Sequence, residues 1–399
     1  MSLSGAAWAQ SGQWPLDWGS WDRATGDWGG FRTSLNEMGI DPELNYTHDI
    51  VANPVGGERQ SAAYAGAVVA VIDFDLQMLF GLNGTAFSFG LYQGLGRSLS
   101  EEDINNVFDV AEVFIGDTFG TAQLSFLQTL ADDRIEIAIG RLTSGIDFAT
   151  NDAFMLYVNS GVNGNPVQIL ENIPSFIAPP FSQWGVLGTV WPQDCLSLSV
   201  GAYNADPNAQ DNDVQTFTFK FNPEDGVLAI AEGGLLVGQE QDGPYLPGQY
   251  MLGGYFDTSD FPRFTDPDRT VAGNWGLYAI ANQMVYEEQG DQGLSLWGFL
   301  TVAPRQSINL FPYGASGGAY YQGLFDGRDN DITAGAFYLG FFSDDLPGQS
   351  YELVFELNHR FQSTEWFYTT LAGQYVVNPN GQTDISDAWV VGVEMSVDF

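Results

Sequence analysis

Positive charge is almost missing from this 399-residue chain. Eleven Arg and one Lys, Lys220, stand against 50 Asp and Glu, for a net charge of −38. Phosphate binding needs clustered basic side chains, so nucleic acid is excluded as a partner. Cysteine is nearly absent as well. A lone Cys195 forms no disulfide within the chain and supplies no Cys-based zinc or iron–sulfur site. His48 and His359 are the only histidines, too few for a His-rich metal cluster. Long apolar runs are also lacking. The longest near-apolar stretch, Ala62 to Ile72, falls well short of the roughly 20 residues a transmembrane helix needs. A soluble protein or a transmembrane β-barrel remains.

What is abundant points away from disorder and away from helices. The chain has 29 Phe, 17 Tyr, 11 Trp and 48 Gly. Disorder needs few aromatics, while aromatics and Gly suit strands and turns. At the N-terminus, Ala7-Trp8-Ala9 before Gln10 reads like the end of a signal peptide. Residues 1–9 are therefore expected to be a signal-peptide remnant. Residues 10–42 form a Trp-rich segment with Trp14, Trp18, Trp21 and Trp28. Phe31, Leu35 and Met38 fall on one face of a short helix, which Asp27 starts and Gly39 ends. Too short to make a core alone, the helix is expected to dock at the periplasmic rim or in the lumen, burying Trp28 and Phe31.

From residue 43 to residue 399 the period is two. Trp389, Val391, Val393, Met395, Val397 and Phe399 alternate with small or charged residues. Tyr351, Leu353, Phe355, Leu357, His359 and Phe361 alternate with Glu352, Val354, Glu356, Asn358 and Arg360. These are half-buried strands. Charges at mid-strand do not suit a dry sandwich core, but a wet lumen accepts them. Seventeen candidate strands lie near 43–54, 64–80, 84–94, 119–131, 134–143, 184–192, 195–205, 213–222, 227–238, 247–257, 275–287, 293–304, 314–324, 331–342, 351–361, 365–377 and 388–399. Turn signals such as Asp132-Asp133 and Pro192-Gln193-Asp194 separate them. The pattern is an all-β, antiparallel up-and-down transmembrane barrel. A bacterial single-chain barrel needs an even strand number, so one strand in the first half is spurious or one is missing. The irregular stretches 95–118 and 144–183 are the doubtful region, and loops of this length often fold inward.

Gly314-Ala315-Ser316-Gly317-Gly318 fits a hydrolase nucleophile motif, with Asp329, Asp331 and His359 following. A nucleophile elbow needs a strand, a sharp turn and a helix, whereas strand-like sequence follows here. Acidic loops at Asp206 to Asp213, Asp257 to Asp268 and Asp329-Asn330-Asp331 offer calcium-type ligands without the spacing of a known calcium loop. Otherwise no cofactor is implied. The scarce Arg are each expected beside a carboxylate. Arg97 precedes Glu101, Glu102 and Asp103, and Arg141 precedes Asp147 and Phe148. Such groups either hydrogen-bond sugar hydroxyls, with an aromatic face stacked on the ring, or form an ion-pair ladder in a wall.

Several motifs resemble the carbohydrate-selective outer-membrane porin family (OprB type). Gly26-Asp27-Trp28-Gly29-Gly30-Phe31-Arg32 looks like its opening motif. Gly140-Arg141-Leu142, Asp147-Phe148 and Asn159-Ser160 are similar to a second segment, and Gly201 to Pro207 to a third. Gly273 to Tyr278, Gly327-Arg328-Asp329-Asn330-Asp331 and Gln374 to Pro379 match later strands and turns, and Phe399 is a terminal aromatic. The resemblance implies a 16-stranded outer-membrane barrel of a Gram-negative-type bacterium, with two inward loops and passive diffusion of small neutral sugars. It also implies contact with outer-membrane lipid, recognition of Phe399 by barrel-assembly machinery, and a monomer or homotrimer. The constriction is expected at Arg97, Glu102, Arg141, Asp147, Phe148 and Trp184. The low Arg content departs from a family described as having an Arg-bearing constriction, and favours cations over anions. A general cation-preferring porin and an outer-membrane barrel hydrolase are the alternatives.

Overall fold

Alternation of period two builds sixteen antiparallel strands, each hydrogen-bonded to its sequence neighbours, and the last pairs with the first to close a barrel. The computed structural model describes residues 21–206, 208, 222–238, 245–290 and 292–399. The strands of the first half are β1 (Ile40–Gly57), β2 (Ala62–Asp75), β3 (Thr85–Gly96), β4 (Phe119–Leu130), β5 (Ile135–Leu142), β6 (Gln183–Gln193), β7 (Leu196–Asn204) and β8 (Val227–Val237). The second half comprises β9 (Gly248–Arg263), β10 (Asp266–Gln289), β11 (Gln292–Val302), β12 (Tyr313–Gln322), β13 (Ile332–Phe341), β14 (Tyr351–Thr364), β15 (Phe367–Val377) and β16 (Ser386–Asp398). The expected strand at 213–222 lies outside the described residues apart from Asn222. Among the described residues β7 pairs directly with β8, from Leu196↔Leu235 to Asn204↔Val227. Closure removes every sheet edge, which a lipid environment demands.

The register sorts side chains into two sets. Ile50 faces Val393 and Tyr64 across the β16 and β2 ladders, and Val393 also faces Leu371. This row is apolar and points to lipid. The alternate row, with Asp49 opposite Glu394, points inward. The barrel's two chain ends share one rim with the two-residue turns 194–195 and 365–366, and this is the periplasmic one by the general rule that outer-membrane barrels keep their longest loops on the other side. The two longest connections, 97–118 and 143–182, start from the other rim, which also carries the short turn 264–265.

At the periplasmic rim a helix, α1 (Phe31–Glu37), docks beside β1. The Asp27 carboxylate accepts from the Thr33 N–H at 2.8 Å, and Gly39 ends the helix at φ +86°, a left-handed conformation that glycine adopts without strain. The expected burial of Trp28 and Phe31 is overturned: they are 43% and 58% exposed. The buried residue is Arg32, which lies 4.3 Å over the Trp28 ring and donates to the Phe399 carbonyl at 2.7 Å. The reason is the solvent. At a membrane rim aromatic rings are stable facing the headgroup layer, so burial is not required of them. The helix instead clasps the point where the barrel closes.

Both irregular stretches fold into the lumen. The second inward loop (143–182) buries most of its residues, and the first (97–118) buries Leu99, Ile104, Phe108 and Val110 among others. Phe148, Phe154, Tyr157, Ile169 and Phe176 of the second join one apolar cluster with wall residues of β7 to β14. Tyr157 and Phe154 pack edge-on against Trp297 of β11 at 5.4 and 5.3 Å. Gly161 lets the loop lie on Tyr338, since a Cβ there would sit 2.2 Å from the ring.

Candidate solute path in the lumen

The inner face of β14 holds both inward loops. Glu352 accepts from the Val107 and Phe108 N–H groups of the first loop at 3.0 and 2.8 Å. Four residues on, Glu356 accepts from Val158 N–H at 2.9 Å and Asn159 N–H at 3.2 Å of the second. Tyr338 and Asn358 also donate to Glu356, at 2.9 and 2.8 Å. Asn358 donates to the Leu156 carbonyl, and Arg360 to that of Met155. On β15, Gln374 donates to the Val110 carbonyl at 2.9 Å and accepts from Asn159 at 2.8 Å. The expectation that mid-strand charges face a wet lumen is corrected here. These carboxylates are sealed, and loop backbone N–H groups satisfy them, which removes most of the cost of burial.

Away from this clasp the lumen holds a cavity of about 340 Å³, which lies beneath the second inward loop, against β5 to β9 and toward the periplasmic rim. The loop roofs it with Asp147, Asn151 and Asp152, and the wall contributes Glu136, Glu232 and Trp191. Hydroxyls of Thr189 and Ser199, 2.9 Å apart, line its side. No Lys or Arg is among the lining residues. The loop is pinned above it by Ala149 N–H to Glu232 at 3.1 Å, and by the Asn151 amide to Gln249 at 2.8 Å. Carboxylates, hydroxyls and an indole ring suit a sugar, which presents hydroxyls at its rim and C–H groups on its faces.

Of the residues singled out in sequence, only Asp147 lies on this cavity. Tyr203 donates to it at 3.1 Å. Burial, with Glu136 adding repulsion, pushes the Asp147 pKa up to about 7. Phe148 is fully buried, edge-on to Tyr203, so its faces are covered. Arg141 is 3% exposed and donates to the Ser182 carbonyl at 2.6 Å. Its placement is that of a clamp between the end of β5 and the end of the loop. Trp184 is half-buried beside it in the β5–β6 register. Arg97 donates to Asp103 at 2.6 Å, Glu102 at 3.2 Å and the Ala62 carbonyl at 2.7 Å. It ties the first inward loop to the start of β2 at the outer mouth, and Glu102 is exposed there. Sequence reading missed Glu136, Trp191 and Glu232. Glu136 alternates with Ile135, Ile137 and Ile139 along β5, but nothing local marks the strand ends that meet at a cavity.

The Asp147 value gives a pH dependence. Above pH 7 the group is ionised and adds negative potential to the cavity. Acidification through pH 7 protonates it and should weaken the preference for cations. Asp147→Asn should remove that step from reversal potentials measured in a salt gradient between pH 5 and 8. Stability has the matching sign. A carboxyl raised from 3.8 toward 7 makes its largest contribution below pH 3.8 and loses it as pH rises to about 7.

The hydrolase motif noted in the sequence is not assembled in this fold. Gly314 to Gly318 lie within β12, and Ser316 is buried, accepting a bond from Gln168 at 3.1 Å. His359 is on the other face of the wall, bonded to Thr333 at 2.8 Å. Among the described residues no three of Asp, Glu, His or Cys converge as metal ligands. Asp206 is described, but most of the acidic loop after it is not.

Comparisons with known proteins agree with the barrel fold. The chain is 26% identical to Porin B of Pseudomonas aeruginosa, across 94% of this chain and 90% of that one. A high-pH structure of Pseudomonas putida OprB superposes with a TM-score of 0.87 at 24% identity, covering 95% of this chain and 99% of the other. A low-pH structure of the same protein gives 0.63 at 20%, covering 95% and 98%. Residues 59–399 match the family described as carbohydrate-selective porin, OprB family, and with that match over most of its length the chain belongs to the carbohydrate-selective porins of the Gram-negative outer membrane.

Proposed function

We propose that small neutral sugars cross this outer-membrane barrel by way of the cavity under the second inward loop, which acts as a weak sugar site. The observation that carries the reading is the cavity's composition. Trp191 supplies a stacking face, while Glu136, Asp147, Thr189 and Ser199 replace the hydration of sugar hydroxyls. The site must stay weak, because a tight binder does not release solute. Arg97, Glu102 and Asp103 set the charge at the outer mouth, and Arg141 with Trp184 and Phe148 holds the loop in place.

The acidic lining also supports cation preference over anions, since a low-dielectric channel focuses the field of its charges. The sugar reading is tested at Trp191. Trp191→Ala should weaken sugar block of single-channel current by about 2- to 10-fold, the worth of one aromatic contact. The open-channel conductance should hold or rise slightly. Unchanged block would remove Trp191 from the path and the cavity with it.

A further inference from the structure

The outer face carries a second site, unrelated to the lumen. The turn 323–331 joins β12 to β13 at the periplasmic rim and folds over the lipid-facing side of β14. Beneath it lies a groove of about 610 Å³, walled by Leu357, Phe361 and Leu371. These three are exposed, so in the membrane lipid contacts them. Cations are scarce in this chain, yet one stands at the head of this groove. Arg328 donates through Nε and Nη2 to both oxygens of Asp331, at 2.7 Å each. Asp331 is 2% exposed and accepts from the Gln362 N–H at 3.0 Å as well, so its charge is spent inward. The guanidinium is thereby fixed as a plane, 6.0 Å from the Phe361 ring. Its Nη1 edge carries no bond among the described residues and points away from Asp331.

We propose that this groove holds one anionic phospholipid of the periplasmic leaflet, with its phosphate on Arg328 and an acyl chain along Leu357, Phe361 and Leu371. A planar guanidinium already oriented by a buried carboxylate matches phosphate oxygens and loses little freedom on binding. The slot below it is walled by apolar side chains of the outward face of β14 and β15. The GR-x-x-D turn is thus a lipid clasp as well as a strand connection.

Native mass spectrometry of the full-length barrel tests this, with equal amounts of phosphatidylglycerol and phosphatidylethanolamine added. The wild type should retain one phosphatidylglycerol in preference to phosphatidylethanolamine. Arg328→Gln should lower that retention by about tenfold, as expected for a lost charged contact. Leu371→Trp fills the slot from a lipid-facing wall position and should lower retention without touching Arg328, so it decides the matter if the Arg328 variant does not fold. Equal retention of the two lipids by the wild type would mean an acyl slot without headgroup recognition and overturn the proposal. Wild-type retention by either variant would overturn it too.

Discussion

Replacing Glu356 with alanine is expected to release the second inward loop and change the channel more than any lining substitution. Glu356 accepts from the N–H groups of Val158 and Asn159, from Tyr338 and from Asn358. Truncation leaves two backbone N–H groups buried without partners, at roughly 1–3 kcal/mol each. The loop's apolar packing on Trp297 and Tyr338 remains, so the loop should loosen rather than unfold. Single-channel conductance should rise, current noise should increase, and sugar block should fall. The barrel ladders are untouched, so the folded band in an unheated gel should persist. Glu356→Gln keeps one acceptor oxygen and should lie between the two. Wild-type conductance and block in the alanine variant would mean that the clasp does not set the path.

The second large effect is on stability. Val393 lies on the lipid face of β16, between Ile50 and Leu371 in neighbouring strands. Val393→Arg should cost about 2–4 kcal/mol if the site is near mid-bilayer, and Val393→Asp somewhat less. Glu394, one residue on, points inward and is 3% exposed. Reversible unfolding in detergent or lipid vesicles measures the difference. A neutral Val393→Arg variant would place this row away from lipid and contradict the register.

The wall was legible because lipid enforces it. Along the middle of β14 and β16 every second residue is apolar, with His359 near the rim of β14 as the exception, and that constraint is written locally. The inward loops obey no such rule. Val158 meets Glu356 across 198 residues of sequence, and no period or spacing announces the pairing. The mid-strand charges of β14 were visible, but their partners were not, so they read as a wet face. Trp28 and Phe31 failed for a related reason. Aromatic burial is a rule for water, and at a membrane rim the same rings face outward. Arg141 and Phe148 stood out in sequence because they sit in a family-like motif. Their burial shows that a motif can mark how a loop is held rather than what it touches.

We propose that the lumen is a sugar path with a weak internal site. Single-channel recording of the wild type in planar bilayers, with a neutral sugar titrated on one side, tests it most directly. The expected result is an open channel whose current falls saturably with sugar, half-blocked in the millimolar range, or about 4 kcal/mol of binding. A channel that conducts ions but ignores sugar at every concentration, or a barrel that does not conduct at all, would contradict it.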